Sequence, residues 1–211
     1  MSWTSGHTVV RRGADPADAE AALVMLHGRG ASAQSIIGLA DELDTTGLSI
    51  LAPEAEGNVW YPQSFLAPRE MNQAGIDAAF AVIDGIMDEL AAAGVDRART
   101  VLLGFSQGAC LASDYVFNHP GRFGGVIALS GGLIGPPGTD FRPAGDLEAT
   151  PVFLGCSDVD PHIPAERVRE THEAFIHAGA AADMQLYPGM PHTVNAEEIA
   201  RANDILRAVR S

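Results

Sequence analysis

Along the chain, short apolar runs alternate with longer stretches in which apolar residues recur every three to four positions. The runs at 21–27 ("AALVMLH"), 48–52, 101–105, 125–129, 151–155 and 183–187 are too short for helices and predict strands. Between them, residues 32–43, 70–93, 107–118, 164–178 and 194–209 predict helices. In the longest of these, Ile76, Phe80, Ile83, Met87 and Leu90 fall on one face, and Gly94 ends it. The helix over 107–118 ends before Pro120. Two stretches have no period: 53–68, rich in Pro and aromatics, and the loop "SGGLIGPPGTDFRPAGD" after the run at 125–129. Strands without internal polar alternation, separated by helices, imply a mostly parallel sheet covered on both faces. The expected fold is therefore α/β, one domain over residues 1–211 with no large lid. In such sheets binding groups collect in the loops at the carboxyl ends of the strands.

Composition narrows the chemistry. Hydrophobic residues make up 46% of the 211 positions and charged residues 19%, ordinary for a globular chain. No run approaches the roughly 18 apolar residues of a membrane span. The first residues, "MSWTSGH", lack the basic-then-apolar pattern of a leader, so a soluble cytoplasmic protein is expected. All 13 basic residues are Arg, which removes Schiff-base and P-loop lysine chemistry. A net charge of -14 disfavours nucleic acid and stable association with anionic membranes. The acidic, Lys-free composition fits either salt adaptation or a high-GC coding bias. Cys110 and Cys156 fall in apolar stretches and are expected to be free, buried thiols.

The chemistry-bearing residues follow predicted strands. Gly104-Phe105-Ser106-Gln107-Gly108 joins the run at 101–105 to the next helix, the setting of a nucleophile held on a sharp strand-to-helix turn. A serine needs a base. His192, in "YPGMPHTV" after the last strand, is best placed, and His162 is its rival. His172 and His177 read as solvated helix surface, and His119 as a helix C-terminal cap. His27 reads as a brace of the first loop, and His7 has no partner pattern. "GCSDVDPHIP" offers Asp158 and Asp160 as the carboxylate that orients the imidazole. The cluster Asp158, Asp160 and His162 matches no metal-ligand spacing, and Pro161 rules out a calcium loop, so neither metal nor cofactor is expected. The order Ser106, Asp, His192 is that of α/β-hydrolases.

Together "LHGRGA", "GFSQGA", "DPHIP" and "YPGMPH" resemble the phospholipase/carboxylesterase group of α/β-hydrolases, over nearly the whole chain from Leu23. The resemblance favours Asp160 over Asp158. It also implies that the backbone N–H groups of Arg29 and Gln107 form the oxyanion hole. An apolar residue often stands at position 29 in the thioesterases of the group. The charged side chain here is expected in a surface ion pair rather than on substrate. Trp60, Tyr61, Phe65 and Leu66 could form a substrate wall or cap the core under their loop. Leu133 and Ile134, in "GGLIGPP", could form the opposing wall.

The expectation is a serine carboxylesterase acting on small or short-chain acyl esters as a monomer or homodimer. A long-chain acyl thioesterase or lysophospholipase is the alternative within the class. A non-catalytic ligand-binding protein on the hydrolase fold is the alternative outside it. Dienelactone-type chemistry resembles a Cys nucleophile, where this elbow has Ser.

Overall fold

Every residue of β2 (Ala21–Leu26) is buried, and successive side chains enter opposite layers. Ala22, Val24 and Leu26 join one hydrophobic cluster, and Ala21, Leu23 and Met25 the other. That alternation on a fully apolar strand makes a sheet with helices on both faces. The computed structural model describes residues 7–210; residues 1–6, read above as lacking a leader pattern, lie outside them. The other strands are β1 (Val9–Gly13), β3 (Leu48–Pro53), β4 (Thr100–Phe105), β5 (Gly125–Leu129), β6 (Pro151–Ser157) and β7 (Ala181–Tyr187). They form one sheet in the order β1-β3-β2-β4-β5-β6-β7, parallel except for β1.

The helices are α1 (Ala33–Ile37), α2 (Gln73–Ala92), α3 (Gln107–Asn118), α4 (Ala165–His177) and α5 (Ala196–Ala208). One layer is built on α2, α3 and α4, the other on α1 and α5. On α2 the buried face is Ile76, Ala79, Ile83, Ile86, Met87 and Leu90. Phe80, expected on that face, is only half-buried and packs edge-on against Tyr115. Among the described residues no helix is long and apolar enough to cross a membrane.

The antiparallel strand β1 has no counterpart among the sequence expectations. It carries only Val9 and Val10 before Arg11 and Arg12, and it lies half-exposed on the sheet edge. Its arginines alternate sides as strand residues must. Arg11 meets Glu89 of α2 on one face and Arg12 meets Asp41 on the other.

After β2 the chain first builds outward to β3, then crosses back to β4 and runs outward through β7. The loops after β2 and β4 therefore depart in opposite directions and leave a crevice at the strands' carboxyl ends. Ser106 ends β4 there, and Arg29 follows β2.

Candidate active site

Ser106 sits at φ 55°, ψ -118°, an unfavourable conformation for any residue with a side chain. Two glycines make the turn possible by close approach. A Cβ on Gly104 would stand 2.2 Å from the Gly108 carbonyl, and one on Gly108 would stand 2.0 Å from the Leu26 carbonyl oxygen. α3 thus lies directly against β4 and β2. Ser106 N–H donates to Leu129 O at 3.0 Å, tying the elbow to β5. The Ser106 hydroxyl makes no hydrogen bond to protein among the described residues and lines a cavity of about 360 Å³.

His192 lines the same cavity. Its Nδ1–H donates to Asp160 Oδ2 at 2.6 Å. Phe105 packs against one side of the imidazole at 4.8 Å between centroids, and His162 meets it edge-on at 4.9 Å. Asp160 accepts on both oxygens, since Oδ1 takes the amides of His162 at 2.8 Å and Ile163 at 3.0 Å. The carboxyl group is fully enclosed. Burial pushes its pKa up, but the bonds from His192 and the two amides outweigh burial and hold it below the usual carboxylate value. Asp158 has a different partner: it accepts Gly189 N–H at 2.8 Å and pins the turn that leads to His192. With both Asp160 oxygens occupied and Asp158 turned to Gly189, the "DVDPH" cluster is not arranged as a ligand set.

The amide N–H groups of Arg29 and Gln107 make no hydrogen bond to protein among the described residues. Gln107 opens α3, so its amide carries the partial positive charge of a helix N-terminus. Its side chain is buried and grips the aromatic loop: Oε1 accepts Trp60 N–H at 3.1 Å, and Nε2 donates to Tyr61 O at 2.8 Å. The Ser106 turn and the cavity wall are therefore one connected unit.

Of the side chains expected to contact substrate, Tyr61 and Phe65 line the cavity. Trp60, Leu66, Leu133 and Ile134 do not. Trp60 is 5% exposed, donates Nε1–H to His27 O, and lines a separate cavity beside α2. Leu66 packs on the core from its loop. Leu133 and Ile134 are core residues because the backbone around them is held from beneath. Arg167 donates to Leu133 O and Gly135 O, and Arg69 donates to Ile134 O.

Ser64, Phe105, Cys110 and Ile163 line the cavity without having been singled out as substrate contacts. Phe105 and Cys110 had a local signal, since they lie one residue before and four residues after Ser106. Ser64 and Ile163 had none. Cys110 is a free thiol whose burial raises its pKa to about 12, which leaves it inert as a nucleophile beside Ser106. Cys156 is likewise free and buried.

The Arg29 side chain departs from expectation. It forms no ion pair among the described residues. Nη1 donates to Pro62 O at 3.0 Å, and Nη2 donates to Tyr61 O at 2.8 Å and Gln63 O at 2.6 Å. Three backbone carbonyls of an exposed turn hold the guanidinium where the sequence suggested a carboxylate. His27 braces the first loop as expected: Nε2 accepts Ala55 N–H and Nδ1–H donates to Gly28 O. His119 caps α3 through Tyr115 O.

A family model described as phospholipase/carboxylesterase matches residues 5–210. A putative esterase, NocK, from Nocardia uniformis subsp. tsuyamanensis is 30% identical over 80% of this chain and 54% of its own. Acyl-protein thioesterase 1 of Kluyveromyces lactis is 32% identical over 59% of this chain and 56% of its own. The chain thus spans little more than half the length of these curated relatives. The crystal structure of a phospholipase/carboxylesterase from Dyadobacter fermentans superimposes with a TM-score of 0.91. It is 39% identical, over 95% of this chain and 97% of that one. The match along nearly the whole chain shows that the chain belongs to the phospholipase/carboxylesterase family.

Proposed function

We propose that this protein is a serine carboxylesterase that hydrolyses small, short-chain acyl esters through Ser106, His192 and Asp160. The observation that carries the reading is the 2.6 Å bond from His192 to a buried Asp160, beside a cavity that also holds a serine on a strained elbow. Asp160 keeps the proton of the neutral imidazole on Nδ1, which leaves Nε2 free to accept the Ser106 proton. Ser106 Oγ then attacks the ester carbonyl. The Arg29 and Gln107 amides receive the oxyanion, each worth about 3 kcal/mol of transition-state stabilisation in comparable sites. His192 returns its proton to the leaving alcohol. Water then enters, gives a proton to His192, and releases the acyl group from Ser106.

A small acyl group is favoured by the cavity. Its volume of about 360 Å³ lies at the lower end for ligand sites, and the buried side chains of Tyr61 and Cys110 are part of its lining. A long-chain thioesterase or lysophospholipase needs a channel that continues past these side chains.

An acyl-length series on the purified protein, as oxygen esters and as thioesters, tests both points. The expected result is highest kcat/KM on acyl groups of about two to six carbons, the size range such a cavity encloses. A maximum at long-chain thioesters would replace this reading with the thioesterase. Ser106→Ala is expected to lose about a thousandfold or more of kcat with an unchanged melting transition. Retained activity would remove Ser106 from the role.

A further inference from the structure

The wall of the Ser106 cavity does not share the acidic character of the chain, since its nearest carboxylate, Asp160, is enclosed behind His192. The protein carries -14 overall, yet among the described residues no carboxylate lines this cavity. One permanently charged side chain does, and it is Arg29. Neighbouring arginines are neutralised: Arg69 by Asp114 and Arg167 by Glu170. Arg29 is held by three neutral carbonyls and lies over the Tyr61 ring at 5.9 Å, and among the described residues no carboxylate pairs with it. Those three bonds leave Nε–H and one Nη1–H without a protein acceptor.

The sheet order says which end of a substrate would meet this charge. Asp160 and His192 follow β6 and β7 on one side of Ser106, whereas Arg29 and residues 61–65 follow β2 and β3 on the other. His192 hands its proton to the leaving alcohol, so the alcohol lies on the β6–β7 side. The acyl chain then extends toward Tyr61, Ser64, Phe65 and Arg29. At its far end it meets an apolar wall and then a fixed, unpaired cation at the rim.

We propose that Arg29 makes this cavity selective for esters whose acyl chain ends in a carboxylate, the monoesters of short dicarboxylic acids. This rests on the hydrolase reading above. The guanidinium pairs with the carboxylate through one of its spare N–H groups while the other three donors hold the wall in place. The ester bond cleaved is the distal one: Ser106 takes the acyl group, the alcohol leaves with the proton from His192, and water releases the free diacid.

Initial rates on the monoethyl ester of glutaric acid and on ethyl pentanoate, which share leaving group and acyl length, test the assignment. The native protein is expected to show kcat/KM about tenfold or more higher on the glutarate monoester, the factor one charge-assisted bond supplies. Glutarate is expected to inhibit competitively where pentanamide does not. In Arg29→Gln the ratio between the two esters is expected to fall to one or below, whatever the loss on each alone, and Arg29→Lys is expected to restore part of it. A native ratio of one or less would overturn the proposal, and that measurement stands even if the variants fail to fold. A ratio unchanged in Arg29→Gln would also overturn it and would leave Arg29 as a brace of the wall. Turnover of ethyl pentanoate alone keeps the hydrolase reading and removes the selectivity. Turnover of neither ester, with no labelling of Ser106 by an organophosphate, removes both.

Discussion

Asp160 Oδ1 receives the amides of His162 and Ile163, and Oδ2 receives His192 Nδ1–H. The division has a consequence for Asp160→Asn. The two amides need an acceptor, so the asparagine oxygen takes the Oδ1 position and its NH₂ faces His192. The imidazole must then present a lone pair at Nδ1 and carry its proton on Nε2, where it cannot accept one from Ser106. The variant is expected to fold and to bind substrate with a KM close to native while kcat falls about 10⁴-fold, as tautomer inversion does in comparable triads. Steady-state kinetics on a short acyl ester decides it. A kcat within tenfold of native would show that Asp160 does not set the tautomer. Asp158→Asn, two residues away, should cost far less, because Asp158 meets only the Gly189 amide.

At the scale of elements, α5 fixes the far side of the loop that carries His192. Asn195 and Glu198 form a reciprocal cap: the Asn195 side chain accepts the amides of Glu197 and Glu198, and Glu198 Oε2 accepts Asn195 N–H. Glu198 is fully buried, with Oε1 unpartnered and packed against Gly155 of β6. Burial raises its pKa to about 7; the Asn195 amide opposes the rise and the Glu197 charge adds to it. The sign follows from linkage. The folded state holds this proton more tightly than the unfolded chain, so stability is greatest below the unfolded value near 4.5, falls as pH rises to about 7, and is then level. The shift corresponds to something on the order of 3 kcal/mol. Glu198→Gln keeps the acceptor for Asn195 and removes the titration. Its melting temperature relative to native should climb between about pH 4.5 and 7, and a difference flat across that window would refute the account. None of this was legible in the sequence, where Glu198 reads as one more acid on an amphipathic helix. The five buried strands β2 to β6 were legible, because a continuous apolar run has few other uses; β7 was also read as a strand, although it alternates exposed and half-buried positions at the sheet edge. The placement of Ser106 and His192 between a strand and a helix was legible as well, and the structure lines one cavity with both. β1 was hidden by its two arginines, and of the six residues named for the substrate wall two, Tyr61 and Phe65, line the cavity. Whether Trp60 or Leu133 faces a cavity or the core depends on what Gln107 and Arg167 grip, and those contacts lie 47 and 34 residues away in the chain.

For the whole molecule, charge imbalance is the dominant electrostatic feature. Ten of the thirteen arginines are in ion pairs, namely 11, 12, 69, 99, 142, 167, 169, 201, 207 and 210. Most of the 27 acids still have no arginine partner. Two effects of salt compete. Screening weakens the ion pairs, most of which are exposed and contribute at most about 1 kcal/mol each. Screening also relieves repulsion among the unpaired carboxylates, a sum over many pairs that grows with the square of net charge. At -14 the second effect is the larger. Raising NaCl from about 0.1 M to about 1 M contracts the screening length from about 10 to about 3 Å, which removes most of that repulsion. The melting temperature at pH 7 is therefore expected to rise over this range, and to rise equally in KCl, since the argument concerns charge and not the identity of the cation. At pH 4.7, near the isoelectric point, net charge vanishes and the same salt series should leave the melting temperature level or lower it. A fall at pH 7 would mean that the exposed arginine pairs outweigh the repulsion, and would argue for coding bias over salt adaptation as the origin of the lysine-free surface.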